Sequence, residues 1–276
     1  MAPPLHSWIS MTRLIIFTDL DGTLLDHDSY SWRPAEQALR RLEASNIPLI
    51  FNSSKTLAEI SQLHRVLDNR HPFIIENGGG AWIPPGYFDQ VDEPANPRIF
   101  GKPYTDIIET LALIRTEQQF NFRGFNDMRA GEVAAATGLS EAEANRAKQR
   151  CCSEPLIWMD SEQQFDLFCF LLQDHELQVV GGGRFFHVMG ETDKGRAMHW
   201  LLERFRQSGI DDLTSIALGD SPNDRPMLEQ ADYAVVVKNR GGHMMLERTA
   251  NIIYTHEPGP AGWQTAIDTL LDQLGG

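Results

Sequence analysis

The stretch LIIFT at 14–18 is apolar almost throughout, which predicts a strand buried on both faces rather than one with a wet side. Pro34 then opens a segment in which Ala35, Ala38, Leu39 and Leu42 fall on one side of a helix. IPLIFN at 47–52 returns to strand, and Leu57, Ile60, Leu63 and Leu67 give a second helical stripe. FIIE at 73–76 is a third strand candidate, and it runs into the glycine cluster NGGG. Strand, helix, strand, helix, strand in this order predicts right-handed crossovers and a parallel sheet. The last third repeats the style. Thr192 is placed to cap a helix over about 193–207, SIALGD at 215–220 reads as a strand ending in Asp220, and 233–237 and 251–254 read as two more short strands. A helix follows over about 262–274.

The middle of the chain breaks this rhythm. Helical runs at 104–119 and 140–150 precede a strand candidate, PLIWM, then a helix over 161–173 and two strand candidates near Val179 and Phe185. The pattern predicts an α/β fold: a doubly wound, Rossmann-like parallel-sheet core with an inserted α+β cap domain. The core is expected over 1–88 and 188–276 and the cap over 89–187, with Pro- and Gly-bearing hinges near 84–89 and 187–192. No internal repeat or low-complexity tract interrupts this reading.

Composition narrows the function classes. Of 276 residues 42% are hydrophobic, enough to build a core, and 38 acidic against 24 basic residues leave a net charge of -14. That field repels nucleic acid and anionic membrane, so neither is an expected partner, and an anionic substrate needs a local cation. The three cysteines include the adjacent pair Cys151 and Cys152 but no C-x-x-C spacing, which points to reduced thiols in a cytoplasmic protein. The first seventeen residues lack a basic region and their apolar character is broken by Pro3 and Pro4, so a signal peptide is not expected. Residues 1–10 read as a loose extension, with Met11 a second candidate start.

The chemistry sits where the strands are predicted to end. Ligands of open parallel sheets bind outside the carboxyl ends of the strands, and four such ends carry polar residues: Asp19 and Asp21; Ser53 and Ser54; Glu76 and Asn77; Asp220 with Asn223 and Asp224. Carboxylates so close repel one another unless a cation lies between them, and clustered oxygens suit Mg²⁺, which in turn favours a phosphate as its other guest. Asp19 and Asp21 are two apart and point the same way in an extended backbone, so one can attack phosphorus while the other exchanges a proton with the leaving oxygen. Gly22 allows a tight turn beside the phosphate. Ser53 can offer a hydroxyl to a phosphoryl oxygen, and Lys194, at a predicted helix start, can offset the charge of nucleophile and phosphate together.

Four stretches in this order, DLDGT, SSK, DKG and GDSPND, resemble the motifs of the haloacid dehalogenase superfamily of phosphatases, and the inserted middle resembles the α/β cap of its Cof-type branch. SSKT, ENGGG, GGGRFFH, TDKGRA and EPGPAGW resemble, more narrowly, the mannosyl-3-phosphoglycerate phosphatases. The resemblance runs over nearly the whole chain from Arg13. It implies Asp19 as the nucleophile, Asp21 as general acid and then base, Ser53 as the phosphate-binding hydroxyl and Lys194 as the stabilising cation. It implies Mg²⁺ held by the Asp19 and Asp220 carboxylates and the Asp21 backbone carbonyl, with Asn223 and Asp224 in support. Many Cof-type members carry Thr-Gly-Arg where this chain has Ser53, Ser54 and Lys55, so no role carries over to Lys55. Substrate contacts are expected from Ser54, Glu76, Asn77, Arg184 and His187, with Arg184 forked onto a substrate carboxylate. Trp82, Trp158 and Trp200 are expected to pack rather than to bind sugar.

The function this implies is hydrolysis of mannosyl-3-phosphoglycerate to mannosylglycerate, a compatible solute, through an aspartyl phosphate. The partner is then a small phosphorylated sugar-glycerate, and the oligomeric state is open. The alternatives are a glucosyl-3-phosphoglycerate or broad sugar-phosphate phosphatase, a phosphomannomutase-type phosphotransferase, and a non-catalytic sugar-phosphate sensor.

Overall fold

A computed structural model describes residues 14–88, 96–182, 185–210, 212–247 and 250–275. The expected N-terminal extension and Arg184 lie outside the described residues.

Among the described residues the larger sheet has eight strands. Numbered along the chain they are β1 (Leu14–Thr18), β2 (Leu49–Asn52), β3 (Phe73–Ile75), β4 (Gly80–Trp82), β5 (Arg98–Ile99), β10 (Thr214–Gly219), β11 (Tyr233–Lys238) and β12 (Ile252–Pro258). Their spatial order is β12-β11-β10-β1-β2-β3-β4-β5. From β12 to β3 all pairings are parallel, and β4 and β5 close the edge in antiparallel fashion.

Side chains alternate between two cores. Ile16 of β1 and Phe51 of β2 face α1 (Glu36–Ala44), α2 (Leu57–Val66) and α9 (Gly259–Leu274), through Leu42, Ile60 and Trp263. Ile15, Phe17 and Ile50 face the other way, onto α7 (Lys194–Gln207) and α8 (Arg225–Gln230), through Leu201 and Leu228. This is the doubly wound arrangement, and it explains why the strand sequences are apolar without alternation. Phe17 and Phe51 are closed to solvent, and burials of that kind contribute roughly 1.5–3 kcal/mol each.

The second sheet is antiparallel, in the order β6-β7-β9-β8. It comprises β6 (Phe122–Gly124), β7 (Ser153–Trp158), β8 (Leu177–Gly182) and β9 (Phe185–Gly190). One face is covered by α3 (Tyr104–Gln118) and α6 (Glu162–Gln173), which bury Ile107, Leu111, Phe168 and Leu172 against Leu156 and Val188. The other is covered by α4 (Ala130–Thr137) and α5 (Glu141–Ala147), which bury Val133 and Ala144 with Phe125. Trp158 lies among Phe120, Phe122, Phe165 and Phe168, Trp82 stacks near Phe73, and Trp200 meets Phe100, so all three tryptophans serve packing.

The expected boundaries shift. The 89–187 division would assign β5 to the insert and cut β9, yet β5 pairs with β4 in the larger sheet and β9 continues to Gly190 in the smaller. The crossings run past Gly101 and Gly190, which lie so close that a Cβ on Gly101 would meet the Gly190 Cα at 2.9 Å. The chain therefore leaves the larger sheet after β5, not at the 84–89 stretch expected as a hinge.

Candidate active site

The polar strand ends expected to converge are neighbours: β10, β1, β2 and β3 are adjacent in the larger sheet and parallel. Asp19 follows β1 directly and donates its N–H to the Leu218 carbonyl of β10 at 2.9 Å. The chain then turns tightly, with Leu20 O accepting from the Thr23 and Leu25 N–H groups. Gly22, at φ +82°, has room for no side chain, since a Cβ would lie 2.9 Å from Asp220 Oδ2. That close approach brings Thr23 to donate its hydroxyl to Asp220 Oδ1 at 3.1 Å.

Lys194 is the centre of the charge arrangement. It opens α7, whose N-cap is Asp193 rather than the expected Thr192: the Asp193 carboxylate accepts from the Arg196 N–H, while the Thr192 hydroxyl donates to the Gly78 carbonyl. The Lys194 ammonium, closed to solvent, lies 2.6 Å from Asp19 Oδ1 and 2.5 Å from Asp224 Oδ1. Burial alone would lower its pKa, but the two carboxylates outweigh burial and hold it above the ordinary lysine value. Asn52, at the end of β2, donates to the Lys194 carbonyl at 3.0 Å and so ties the helix start to the strand.

Asp224 is fully engaged. Its Oδ1 takes Lys194, and its Oδ2 accepts from the Asp220 N–H, the Ser221 N–H and the Ser221 hydroxyl. Its carboxylate therefore holds the loop after β10 and the lysine in place. Asp19 and Asp220 differ: Lys194 takes one oxygen of the first and Thr23 one oxygen of the second, which leaves each a second oxygen for a cation. Burial raises the pKa of both, with Asp224 adding to the effect, and it pushes Asp220 up to about 7. Buried carboxylates strained in this way, with oxygen as the sole donor type, suit a hard divalent cation. Carboxylate oxygens of Asp19, Asp220 and Asp224 lie within 4.8 Å of one another, so the residues present fit Mg²⁺.

Asp21 is half-buried, with Oδ2 2.8 Å from the Lys55 ammonium and Oδ1 buried without a hydrogen-bond partner. Lys55, for which no role had been assigned, is thus the cation beside Asp21, with Tyr30 5.2 Å from its ammonium across the ring face. Spacing alone could not show this, because the loop after β2 must first be folded back over the loop after β1. Ser53 is buried with its hydroxyl accepting from the Lys55 N–H, while Ser54 is half-buried and gives its carbonyl to Arg150. This separates the two serines: Ser53 has the more enclosed position.

Glu76 corrects an expectation. Its carboxylate is closed to solvent, accepting from the Cys151 and Cys152 N–H groups and the Ser153 hydroxyl, with Arg150 Nε at 3.3 Å. It joins the larger sheet to the start of β7, and both of its oxygens already have protein partners. Asn77 accepts from Asn223 Nδ2 at 2.9 Å and so steadies the loop after β10. Both residues adopt positive φ, Glu76 at +50° and Asn77 at +59°. The ENGGG stretch is therefore a tight return into β4.

His187, on β9, is buried with Nδ1 lacking a partner. Burial, with help from Arg150 and Lys194, lowers its pKa to about 3. It can offer a ligand one hydrogen bond from a neutral ring, and no charge. The sequence reading passed over Thr23, Asn52, Arg150 and Asn239, whose side chain donates to the Asp220 carbonyl at 2.6 Å. Thr23 alone had a local signal, as the last residue of DLDGT.

This site, carboxylates and a buried lysine at the carboxyl edge of a parallel sheet, defines a class of hydrolase. The haloacid dehalogenase-like hydrolase family matches the chain over residues 16–122 and 159–257, and the chain belongs to that family. Solved structures share the fold along their full lengths. A protein of Bacteroides thetaiotaomicron, described among the phosphatases of the haloalkanoate enzyme superfamily, is 17% identical with a TM-score of 0.65, covering 96% of each chain. A Thermotoga maritima protein is also 17% identical at a TM-score of 0.65, covering 94% of this chain and 97% of its own. The sucrose-phosphatase of Synechocystis sp. is 14% identical with a TM-score of 0.57, covering 94% and 98%.

Proposed function

We propose that the protein is a Mg²⁺-dependent phosphatase that hydrolyses mannosyl-3-phosphoglycerate to mannosylglycerate and phosphate. The observation that carries the hydrolytic reading is the clamp of Asp19 and Asp224 on the buried Lys194 ammonium, beside the open oxygens of Asp19 and Asp220. Asp19 attacks phosphorus to form an aspartyl phosphate. Asp21 gives its proton to the leaving oxygen and then takes one from the water that releases phosphate. Lys194 offsets the charge gathered on Asp19 and the phosphoryl group, and Ser53 holds a phosphoryl oxygen. Mg²⁺, held by Asp19, Asp220 and the Asp21 carbonyl, would neutralise phosphoryl charge and help align the phosphate.

Support for the sugar-glycerate substrate comes from the narrower stretches SSKT, ENGGG, GGGRFFH, TDKGRA and EPGPAGW. The Synechocystis sucrose-phosphatase was solved with sucrose and phosphate, and sucrose, like mannosylglycerate, is a glycoside. In this reading the smaller sheet and its helices act as a cap that brings Arg184 to the glycerate carboxylate and His187 to a hydroxyl, excluding bulk water. No described helix is long and apolar enough to cross a membrane, and we place the enzyme in the cytoplasm with its thiols reduced.

Product analysis tests this function. With mannosyl-3-phosphoglycerate and Mg²⁺ the enzyme should release inorganic phosphate, and excess chelator should stop the release. A sugar bisphosphate or an isomerised sugar phosphate would instead establish a phosphotransferase, and ligand binding without turnover a sensor.

A further inference from the structure

The cysteine pair that sequence spacing set aside meets a third ligand in the fold. Glu76, from the loop after β3, lies against Cys151 and Cys152, just ahead of β7. The two sulfurs are 3.9 Å apart, and Cys151 Sγ is 3.1 Å from Glu76 Oε1. One ligating atom from each of the three residues falls within 4.8 Å of the other two. A tetrahedral zinc-class ion, with bonds of about 2.3 Å to sulfur and 2.0 Å to oxygen, separates two sulfurs by about 3.8 Å and sulfur from oxygen by about 3.5 Å. The folded chain already holds the sulfur pair and the Cys151–Glu76 pair within about 0.4 Å of those edges.

We propose that Glu76, Cys151 and Cys152 form a second cation site, for a thiophilic d¹⁰ divalent ion of the zinc class, at the joint between the two sheets. The thiol protons now lie along the contacts of Cys151 Sγ with Glu76 Oε1 and with Cys152 Sγ. The ion replaces them: two thiols and M²⁺ give a dithiolate complex and two protons released to solvent, with water as the fourth ligand. The charges then cancel, because one carboxylate and two thiolates face the divalent ion and the Arg150 guanidinium. Arg150, 3.3 Å from Glu76 Oε2 and with only 3% of its side chain exposed, stays in place on the other carboxylate oxygen.

The surroundings are those of a supported ligand set. Glu76 Oε2 is fixed by the Cys152 N–H and the Ser153 hydroxyl, and Oε1 by the Cys151 N–H, so the carboxylate is oriented before an ion arrives. A Cβ at Gly79 would stand 2.6 Å from Cys152 Sγ, and the glycine leaves that space to the sulfur. Cys152 is enclosed while Cys151 is partly open, which gives an entry path. Sulfur donors separate this site in kind from the all-oxygen cluster of Asp19 and Asp220. The proposal is independent of the substrate assigned above. It has a structural consequence, since Asn77, the neighbour of Glu76, carries the contact to Asn223.

The test is a Cd²⁺ titration of the full chain, kept in excess Mg²⁺ and read by ultraviolet sulfur-to-cadmium charge-transfer absorption. One equivalent should bind with the amplitude of two thiolates, Zn²⁺ should displace it, and affinity should fall by about a hundredfold per pH unit on the acid side, since two protons leave. Cys151→Ser should halve the amplitude and weaken binding at least about tenfold. Cys169→Ser and Asp19→Asn should change neither. Glu76→Gln should keep the amplitude and lose affinity. Absence of the band in the unaltered protein would overturn the site, as would a band that survives in full in Cys151→Ser. Cys151→Ser carries the decision if Glu76→Gln does not fold, because Cys151 is half-buried and serine is its near-isostere.

Discussion

The Lys194 ammonium lies 2.6 Å from Asp19 Oδ1 and is closed to solvent. Asp224 meets the same ammonium from its other side, so one lysine neutralises two buried carboxylates. Removing one partner of a buried charge group leaves the others uncompensated and costs about 3–5 kcal/mol. Lys194→Met should therefore lower stability by about that amount, measured by denaturant unfolding, and abolish turnover. A variant of unaltered stability would mean that the carboxylates are neutral in the resting enzyme.

Asp19→Asn should behave in the opposite way towards stability. Burial and the neighbouring Asp224 and Asp220 all raise the pKa of Asp19, against the pull of Lys194, so its charged form is disfavoured in the fold. The amide has nearly the same shape but is a poor nucleophile. Turnover should vanish while the melting temperature, in chelator, stays level or rises. Retention of turnover near that of the unaltered enzyme would remove Asp19 from the nucleophile role.

Glu76→Gln separates a joint from a substrate contact. The substitution leaves Arg150 buried beside a neutral partner, and it should lower stability by about 3 kcal/mol or more. The change in KM for a phosphorylated substrate should be small beside the fall in thermal stability. A large rise in KM at unchanged stability would restore Glu76 to substrate binding.

His187 gives a pH signature. Its pKa in the fold is about 3 against an ordinary 6.5, because burial and the nearby Arg150 and Lys194 disfavour the charged ring. A depressed value means that the unfolded chain binds the proton more readily. Stability from this group is thus fully present above about pH 6.5 and is lost as pH falls towards 3. Between pH 7.5 and 4.5 the unaltered protein should lose on the order of 2–3 kcal/mol more than His187→Gln. Equal losses would show that the ring is solvated.

Much of the site was legible because its residues sit beside strong local signals. Asp19 follows an apolar run too uniform to be anything but a buried strand, and Asp220 follows another. The same runs place β1, β2 and β10, and their adjacency puts the acids together. What could not be read is short or remote. β5 is two residues and β4 and β6 three each, below the length at which a period-two pattern can be seen. α8 carries Pro226 in its first turn and lasts six residues, too short to show a helical stripe. Glu76 was assigned to substrate from its place at a strand end, but its partners lie 75–77 positions away and only the docking of the second sheet brings them to it. Lys55 was unreadable for a similar reason, since Asp21 reaches it through the packing of two loops.

The most direct measurement is kcat/KM across a panel of phosphorylated substrates in Mg²⁺: mannosyl-3-phosphoglycerate, glucosyl-3-phosphoglycerate, 3-phosphoglycerate, hexose phosphates and p-nitrophenyl phosphate. The account predicts that mannosyl-3-phosphoglycerate exceeds the simple hexose phosphates by at least about a hundredfold, which is roughly 2.7 kcal/mol of transition-state discrimination. It also predicts that Arg184→Ala erases that margin by raising KM, with p-nitrophenyl phosphate hydrolysis nearly unchanged. Equal kcat/KM across unrelated sugar phosphates would contradict the assigned substrate, and the protein would then be a broad sugar-phosphate phosphatase.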